Sequence, residues 1–229
     1  MSINQASYKK LIAEFGDKIT LVAVSKTKPV EDILALYKMG QRDFGENYVQ
    51  EMVAKATQLP RNIRWHFIGH LQSNKVKLIA PFVHLIHGVD RLKLLKEIDK
   101  EAAKQKRVLD VLLQVHIAQE ETKFGLDEEE LDEILSGNNN GINELKDVHV
   151  TGLMGMASLT DDMNKVRAEF AHLKRLFDKY EKPSLVSAGQ TTNYELRTLS
   201  MGMSSDYKIA IEEGSNMVRI GSLIFGERE

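Results

Sequence analysis

The chain has 229 residues and a formal net charge of −2, from 31 basic and 33 acidic side chains. This balance provides no strong positive field for nucleic acid or for an acidic membrane, so we expect neither as a partner. Cysteine is absent, which excludes disulfides, thiolate nucleophiles and cysteine metal ligands and favours a reducing, cytoplasmic location.

Short apolar runs alternate with amphipathic stretches from the first residues onward, and the N-terminus has no apolar run typical of a signal peptide or membrane span. The short runs are rich in Val, Ile and Leu and predict buried strands, whereas a 3.6-residue apolar period predicts helices. In chain order the predicted strands are 21–25, 43–47, 65–69, 83–88, 108–116, 148–156, 199–203 and 217–222. The predicted helices are 3–15, 30–39, 48–58, 73–80, 90–106, 127–136, 161–180 and 205–213.

Eight strands separated by helices predict an α/β fold, the (β/α)8 TIM barrel. Continuous apolar runs are typical of parallel strands that are buried on both faces, and eight β–α units suit a chain of this length. No shift in composition marks a boundary, so residues 1–229 are predicted to form a single domain. The irregular segment 181–197 contains SLVSAG (184–189), which could add a ninth strand.

The first predicted strand is followed directly by a lysine, Lys26. A desolvated ammonium group costs free energy unless a function uses it. The side chain could simply reach solvent, as most lysines do. Alternatively, it could serve a site, because (β/α)8 barrels carry their sites at the C-terminal ends of the strands.

Small and hydroxyl-bearing residues follow the last two predicted strands: Ser204, Ser205, Gly221 and Ser222. The loops after strands seven and eight, beside a helix N-terminus, are the usual place for a phosphate group in this barrel. A local explanation is also open, in which Ser204 is a plain helix N-cap and Gly221 permits a tight turn.

Arg219 lies between Val218 and Ile220 in the last predicted strand, so its side chain faces the opposite side of the sheet from theirs. If those two pack on helices, Arg219 points into the barrel. A buried guanidinium stays charged and needs a partner. It could form an ion pair with Glu46 or another acid, or donate to a ligand held between Lys26 and the serines.

No metal site is predicted. His66 and His70 are four residues apart, but they belong to a predicted strand, in which this spacing does not create a helical metal-binding pair.

Six segments of the chain resemble the pyridoxal phosphate homeostasis proteins, a family related to the barrel domain of alanine racemase. They are AVSKTKP, FGENYVQE, WHFIGHLQSNK, GLMGMAS, LSMGMSSD and MVRIGSLIFG. The resemblance spans nearly the whole chain and implies an alanine racemase N-terminal-domain-like barrel. It also implies that Lys26 holds pyridoxal 5′-phosphate (PLP) as a Schiff base. A partly desolvated site suits this chemistry, because the amine must be neutral to attack an aldehyde.

The same resemblance implies the other cofactor contacts. The phosphate pocket maps onto Ser204, Gly221 and Ser222, and Arg219 approaches the pyridine nitrogen. Asn47 lies beside the ring, and His66 lies in the barrel near the site. The implied cofactor-binding residues are therefore Lys26, Asn47, His66, Ser204, Arg219, Gly221 and Ser222, with no catalytic and no metal-binding residue.

Arg219 favours cofactor binding over catalysis. Strong electron-sink catalysis keeps the pyridine nitrogen protonated, usually with an aspartate, whereas a guanidinium cannot accept that proton. In alanine racemase a tyrosine from an additional domain supplies a second base, and we expect no room for such a domain before Glu229.

The expected function is therefore intracellular PLP homeostasis by a cytoplasmic monomer without substantial turnover. Apo forms of PLP-dependent enzymes are candidate partners. The alternatives are a PLP-dependent amino-acid racemase or related enzyme, an aldolase-type barrel whose lysine traps substrate without a cofactor, and a pure scaffold.

Overall fold

A computed structural model describes residues 3–118, 124–136, 141–181 and 194–226. Eight parallel strands close into a barrel in chain order, with the last strand paired to the first. The predicted (β/α)8 barrel is therefore confirmed. Within the described ranges no helix combines the length and apolar character that spanning a membrane requires.

The strands are β1 (Thr20–Val24), β2 (Asp43–Glu46), β3 (Arg64–Phe67), β4 (Leu85–Val89), β5 (Leu109–Gln114), β6 (Val148–Met154), β7 (Tyr194–Ser200) and β8 (Met217–Ile220). The helices are α1 (Gln5–Phe15), α2 (Val30–Lys38), α3 (Val49–Ala56), α4 (Val76–Ile79), α5 (Leu92–Lys104), α6 (Glu128–Leu135), α7 (Met163–Glu181), α8 (Tyr207–Glu212) and α9 (Ser222–Phe225). Short 3-10 turns cover Ser73–Lys75 and Ile142–Glu144.

Side-chain alternation along the strands separates two apolar regions. In β8, Val218 and Ile220 belong to the large core that the helices share with the outer face of the barrel. The inward-facing positions form a second buried cluster of Val22, Leu85, Leu112, Met154 and Met217. Both faces of the strands are buried, which is why the strands appear as continuous apolar runs in the sequence.

The C-terminal quarter of the barrel differs from the prediction. β7 covers Tyr194–Ser200 instead of 199–203, because Glu195 and Arg197 are exposed and interrupt the apolar run. The chain leaves the sheet after Ser200 and turns at Gly202, whose φ is +96°. The last strand ends at Ile220, and α9 follows where the strand was expected to continue. The suggested ninth strand (184–189) lies outside the described residues.

Gly152 lets β6 and β7 approach each other. The register of β6 shifts next to this residue on both sides of the strand. A Cβ atom built on Gly152 would lie 1.8 Å from the carbonyl oxygen of Thr198. No side chain can be accommodated without separating the two backbones, so the barrel closes here only with glycine.

We therefore expect Gly152→Ala to destabilise the protein by about 3 kcal/mol, the upper end of the usual cost of overpacking. Gly45→Ala is the matched control, because its Cβ would meet only the side-chain atoms of Val22 and Ile68, at 3.0 and 3.1 Å. Those atoms can shift, so its cost should be about 1 kcal/mol. Urea unfolding measures both values, and equal losses would contradict this explanation.

Candidate functional site

A cavity of about 350 Å³ lies at the C-terminal ends of the strands. This volume falls within the range of small-molecule sites. The strand ends and the loops that follow them contribute its walls, as expected for this barrel. The lining residues are Val24, Lys26, Lys28, Asn47, Ile68, Met156, Met203, Ser204, Ser205, Arg219, Gly221, Ser222 and Gly226.

Lys26 is half-buried and lies in the turn between β1 and α2. The next residue, Thr27, has a left-handed backbone with φ +64°, which is uncommon for a residue that is not glycine. Its backbone N–H donates to Oε1 of Glu51 at 2.6 Å. A hydrogen bond to a carboxylate therefore stabilises the turn that directs Lys26 toward the cavity.

Lys55 of α3 connects this turn to the barrel. Its Nζ donates to the carbonyl oxygen of Ser25 at 2.8 Å, to Glu46 at 2.8 Å and to Glu51 at 2.7 Å. The Ser25 hydroxyl also donates to Glu46, at 2.6 Å. We call Ser25, Glu46, Glu51 and Lys55 the turn clamp, because together they hold the residues on both sides of Lys26.

The turn clamp corrects one of the alternatives raised from the sequence. Glu46 pairs with Lys55 and not with Arg219, because Glu46 faces α3 on the outside of the barrel. Burial raises the pKa of Glu46, and the charge and hydrogen bonds of Lys55 and Ser25 oppose this rise. Lys55 and Glu46 are both buried, so either group would be costly without the other.

Ser204, Ser205, Gly221 and Ser222 line one end of the cavity, as predicted from their positions after β7 and β8. The backbone N–H of Gly221 donates to Oγ of Ser204 at 3.3 Å, which joins the two loops. The N-cap of α8 is Asp206 and not Ser204, so the plain N-cap explanation of Ser204 is wrong.

A second cation lies at the same end of the cavity. Lys28 lines it and donates to the carbonyl oxygen of Phe225 at 3.0 Å, which fixes its ammonium group at the end of α9, beside Gly226. Hydroxyl groups together with a nearby ammonium group suit an anion such as a phosphate.

Arg219 forms part of the cavity wall although only 4% of it is exposed. Nη1 donates to the carbonyl oxygen and the hydroxyl of Ser200, at 2.9 and 2.6 Å, and Nη2 donates to the carbonyl oxygen of Gly155 at 3.1 Å. Burial lowers the pKa of Arg219 to about 10, and the charge of Asp206 opposes this shift. The guanidinium therefore remains charged at neutral pH.

Asn47 and His66 have different surroundings. Asn47 lines the cavity, and its Oδ1 atom is buried without a hydrogen-bond partner in the described part of the chain. A buried acceptor of this kind calls for a donor, which a ligand or a bound water molecule can supply. His66 is not among the lining residues; it lies deeper in the barrel, bonded to His87 and Asp43. The structure therefore brings six of the seven predicted residues together and leaves His66 below them.

The structure also reveals a cluster that the sequence spacing did not indicate. Ligand atoms of Asp43, His66 and His84 lie within 4.8 Å of one another at the N-terminal face of the barrel. Both carboxylate oxygens of Asp43 already accept hydrogen bonds from Arg64, at 2.6 and 2.5 Å. The cation beside Asp43 in this structure is thus a guanidinium.

We expect Lys55→Met to lower the free energy of unfolding by about 3 kcal/mol, because it leaves the buried carboxylate of Glu46 without its cation. Lys100→Met is the control, since Lys100 forms an exposed pair with Glu97 and should remain close to wild type. Adding Glu46→Gln to Lys55→Met should restore part of the loss, because an amide needs no counter-charge. Urea unfolding measures the free energy of unfolding of all three variants. A double variant that is still less stable than Lys55→Met would contradict the role given to the turn clamp.

Known proteins share the sequence pattern and the fold of this chain. The model of the family "Alanine racemase, N-terminal domain" matches residues 4–229. The pyridoxal phosphate homeostasis protein of Aquifex aeolicus (strain VF5) is 42% identical over 210 residues, which cover 91% of this chain and 87% of that protein. The protein of the same name from Escherichia coli (strain K12) is 38% identical over 218 residues, covering 93% and 87%.

Solved structures show the same relationship. PipY of Synechococcus elongatus PCC7942, solved without PLP, is 33% identical, with a TM-score of 0.85, and the match covers 96% of this chain and 99% of PipY. PipY solved with PLP bound matches over the same shares at a TM-score of 0.83. Alanine racemase from Bartonella henselae shares the fold at 16% identity and a TM-score of 0.70, with 95% of this chain matching 57% of that one. The chain therefore belongs to the alanine racemase N-terminal domain family and, within it, to the pyridoxal phosphate homeostasis proteins.

Proposed function

We propose that this protein binds PLP in the cavity through a Schiff base on Lys26 and serves intracellular PLP homeostasis. The observation that carries the proposal is that Lys26, a hydroxyl-rich rim and the charged Arg219 line one cavity. The relative PipY has been solved with PLP bound, which supports PLP as the ligand.

Each lining group matches one part of PLP. The Lys26 amine condenses with an aldehyde to form a carbon–nitrogen double bond and release one water molecule, and addition of water reverses the reaction. The hydroxyls of Ser204 and Ser222, with the backbone of Gly221 and the ammonium of Lys28, suit the phosphate. Asn47 Oδ1, buried without a partner in the described residues, suits a donor group beside the ring.

Arg219 suits the pyridine nitrogen of PLP only as a hydrogen-bond donor. A guanidinium cannot take up a proton, so it favours an unprotonated pyridine nitrogen, the form of PLP that withdraws electrons less strongly. Reversible storage needs this weak activation, because a strongly activated cofactor would exchange protons with any amino acid that it binds.

The described lining of the cavity offers no histidine, carboxylate or tyrosine as the second base that racemisation needs. Racemisation removes a proton from one face of the substrate and returns one to the other face. The lining residues described above include two lysines, and among them are no histidine, aspartate, glutamate or tyrosine. Cofactor binding without substantial turnover therefore explains the lining better than racemase activity does.

Three further features belong to this proposal: the protein acts as a monomer, it is located in the cytoplasm, and apo PLP-dependent enzymes receive its cofactor. The cysteine-free composition supports a reducing compartment. Schiff-base reversal supplies a release step that needs no other reactant than water.

We expect wild-type protein mixed with PLP to develop a visible absorption band and Lys26→Ala to lack it. After borohydride reduction, peptide mapping should find the label on the peptide that contains Lys26. Lys38→Ala is the control, because Lys38 is an exposed residue of α2 that contributes nothing to the cavity. A label retained in Lys26→Ala would overturn the assignment.

We expect PLP-loaded wild-type protein to interconvert L- and D-alanine no faster than free PLP at the same concentration. A chiral assay of alanine over several hours measures the rate, and Lys26→Ala with added PLP provides the background. Robust turnover by the wild type would replace the homeostasis proposal with the racemase alternative.

A further inference from the structure

A continuous line of hydrogen bonds crosses the inside of the barrel from the cavity to its opposite end. Arg219 donates to Oγ of Ser200 at 2.6 Å, and this oxygen lies 3.3 Å from Nδ1 of His87. Nε2 of His87 lies 2.9 Å from Nδ1 of His66. Nε2 of His66 in turn lies 3.0 Å from Oδ1 of Asp43, the first residue of β2.

The two ends of this line determine its direction. Arg219 has only donors, so the Ser200 hydroxyl must accept from it. At the other end, burial would raise the pKa of Asp43, but hydrogen bonds from Arg64 and His66 lower it below its ordinary value. The Asp43 carboxylate is therefore ionised and can only accept.

The three groups between them each have one donor and one acceptor when the histidines are neutral. Burial lowers the pKa of His87 well below its ordinary value, so His87 is neutral at neutral pH, and the order of donation below takes His66 as neutral too. Each group can then donate toward Asp43: Ser200 to His87, His87 to His66, and His66 to Asp43. The reverse order would set the unprotonated Nε2 of His66 against the Asp43 carboxylate, where two acceptors would face each other.

We propose that Ser200, His87, His66 and Asp43 are positioning residues that orient the Arg219 guanidinium toward the bound ligand by donating in one direction. That this ligand is PLP rests on the proposed function. The proposal assigns a role to residues between the Arg219 guanidinium and the far end of the barrel, none of which is among the residues that line the cavity.

Burial explains why a substitution at one end of this line of hydrogen bonds should change the arrangement of the groups at its other end. Ser200 and His87 are fully buried, and His66 is 1% exposed. Water cannot replace a lost link there, so a group that loses its partner must turn or pair again. Arg219 makes two of its hydrogen bonds to Ser200, so its plane depends directly on that residue.

The first test needs no cofactor. Long-range ¹H–¹⁵N correlation spectra should show both His66 and His87 protonated on Nε2 in wild-type protein at pH 7. Ser200→Ala and Asp43→Asn should both shift the guanidinium signals of Arg219, which are identified by their loss in Arg219→Lys. Ser200→Thr, which retains the hydroxyl, should restore them. Asp110→Asn is the matched control, because Asp110 is an acid near the same barrel end, paired with His149 and outside the line.

An Nδ1-protonated or charged ring, or unchanged Arg219 signals in Asp43→Asn, would overturn the proposal. Asp43→Asn lies far from the cavity, so a merely local packing role for Asp43 would leave those signals in place. Circular dichroism of each variant confirms that the barrel is folded, and Ser200→Ala and Asp43→Asn test the line from two independent positions.

The second test uses PLP. Ser200→Ala and Asp43→Asn should each weaken PLP binding by about tenfold, the factor for one buried hydrogen bond to a charged group. Both variants should also shift the visible absorption band of bound PLP, and the two shifts should have the same direction. Ser200→Thr and Asp110→Asn should match the wild type. Unchanged spectra and affinities in the first two variants would overturn the proposal. Absence of the band in wild-type protein would instead defeat the proposed function, and the cofactor-free spectra would still decide on the positioning role.

Discussion

A charged guanidinium inside a closed barrel is the constraint on which the site depends. Arg219 is almost fully buried, and a parallel barrel of this size is filled with side chains and offers no water channel to solvate the charge. The surrounding residues must therefore supply its partners. Gly155, which directly follows β6, and Ser200, the last residue of β7, do so. The need to satisfy Ser200 in turn extends the polar region deeper into an otherwise apolar interior.

Arg219 and Lys26, which both line the cavity, are held by separate means. Arg219 is held from inside the barrel by backbone carbonyls and the Ser200 hydroxyl. Lys26 is held from outside, because the turn clamp of Ser25, Glu46, Glu51 and Lys55 stabilises the turn on which it lies. Glu46 and Glu51 are not among the described lining residues, which include Lys26, Lys28 and Arg219 and suit an anionic ligand.

This division underlies the proposal that the site holds a cofactor without using it for catalysis. A PLP enzyme needs a protonated ring nitrogen and bases placed at the reacting carbon. The cavity offers a permanent donor at Arg219, and the described lining residues add no acid or imidazole. Alanine racemase shares the barrel at 16% identity, which shows that the fold is common to both, and a shared fold does not by itself determine an activity.

The sequence alone determined the barrel, the inward direction of Arg219, and the placing of Lys26 beside the Ser204 and Gly221 loops, because apolar periodicity and strand alternation are local properties. Only the tertiary structure decided that Glu46 pairs with Lys55, that β7 ends at Ser200, and that His66 meets His87 and not the cavity. Those outcomes depend on the register between neighbouring strands and on which helix covers each strand. Register brings together side chains that are 21 residues apart, as in His66 and His87, and no local pattern in the chain specifies such a contact.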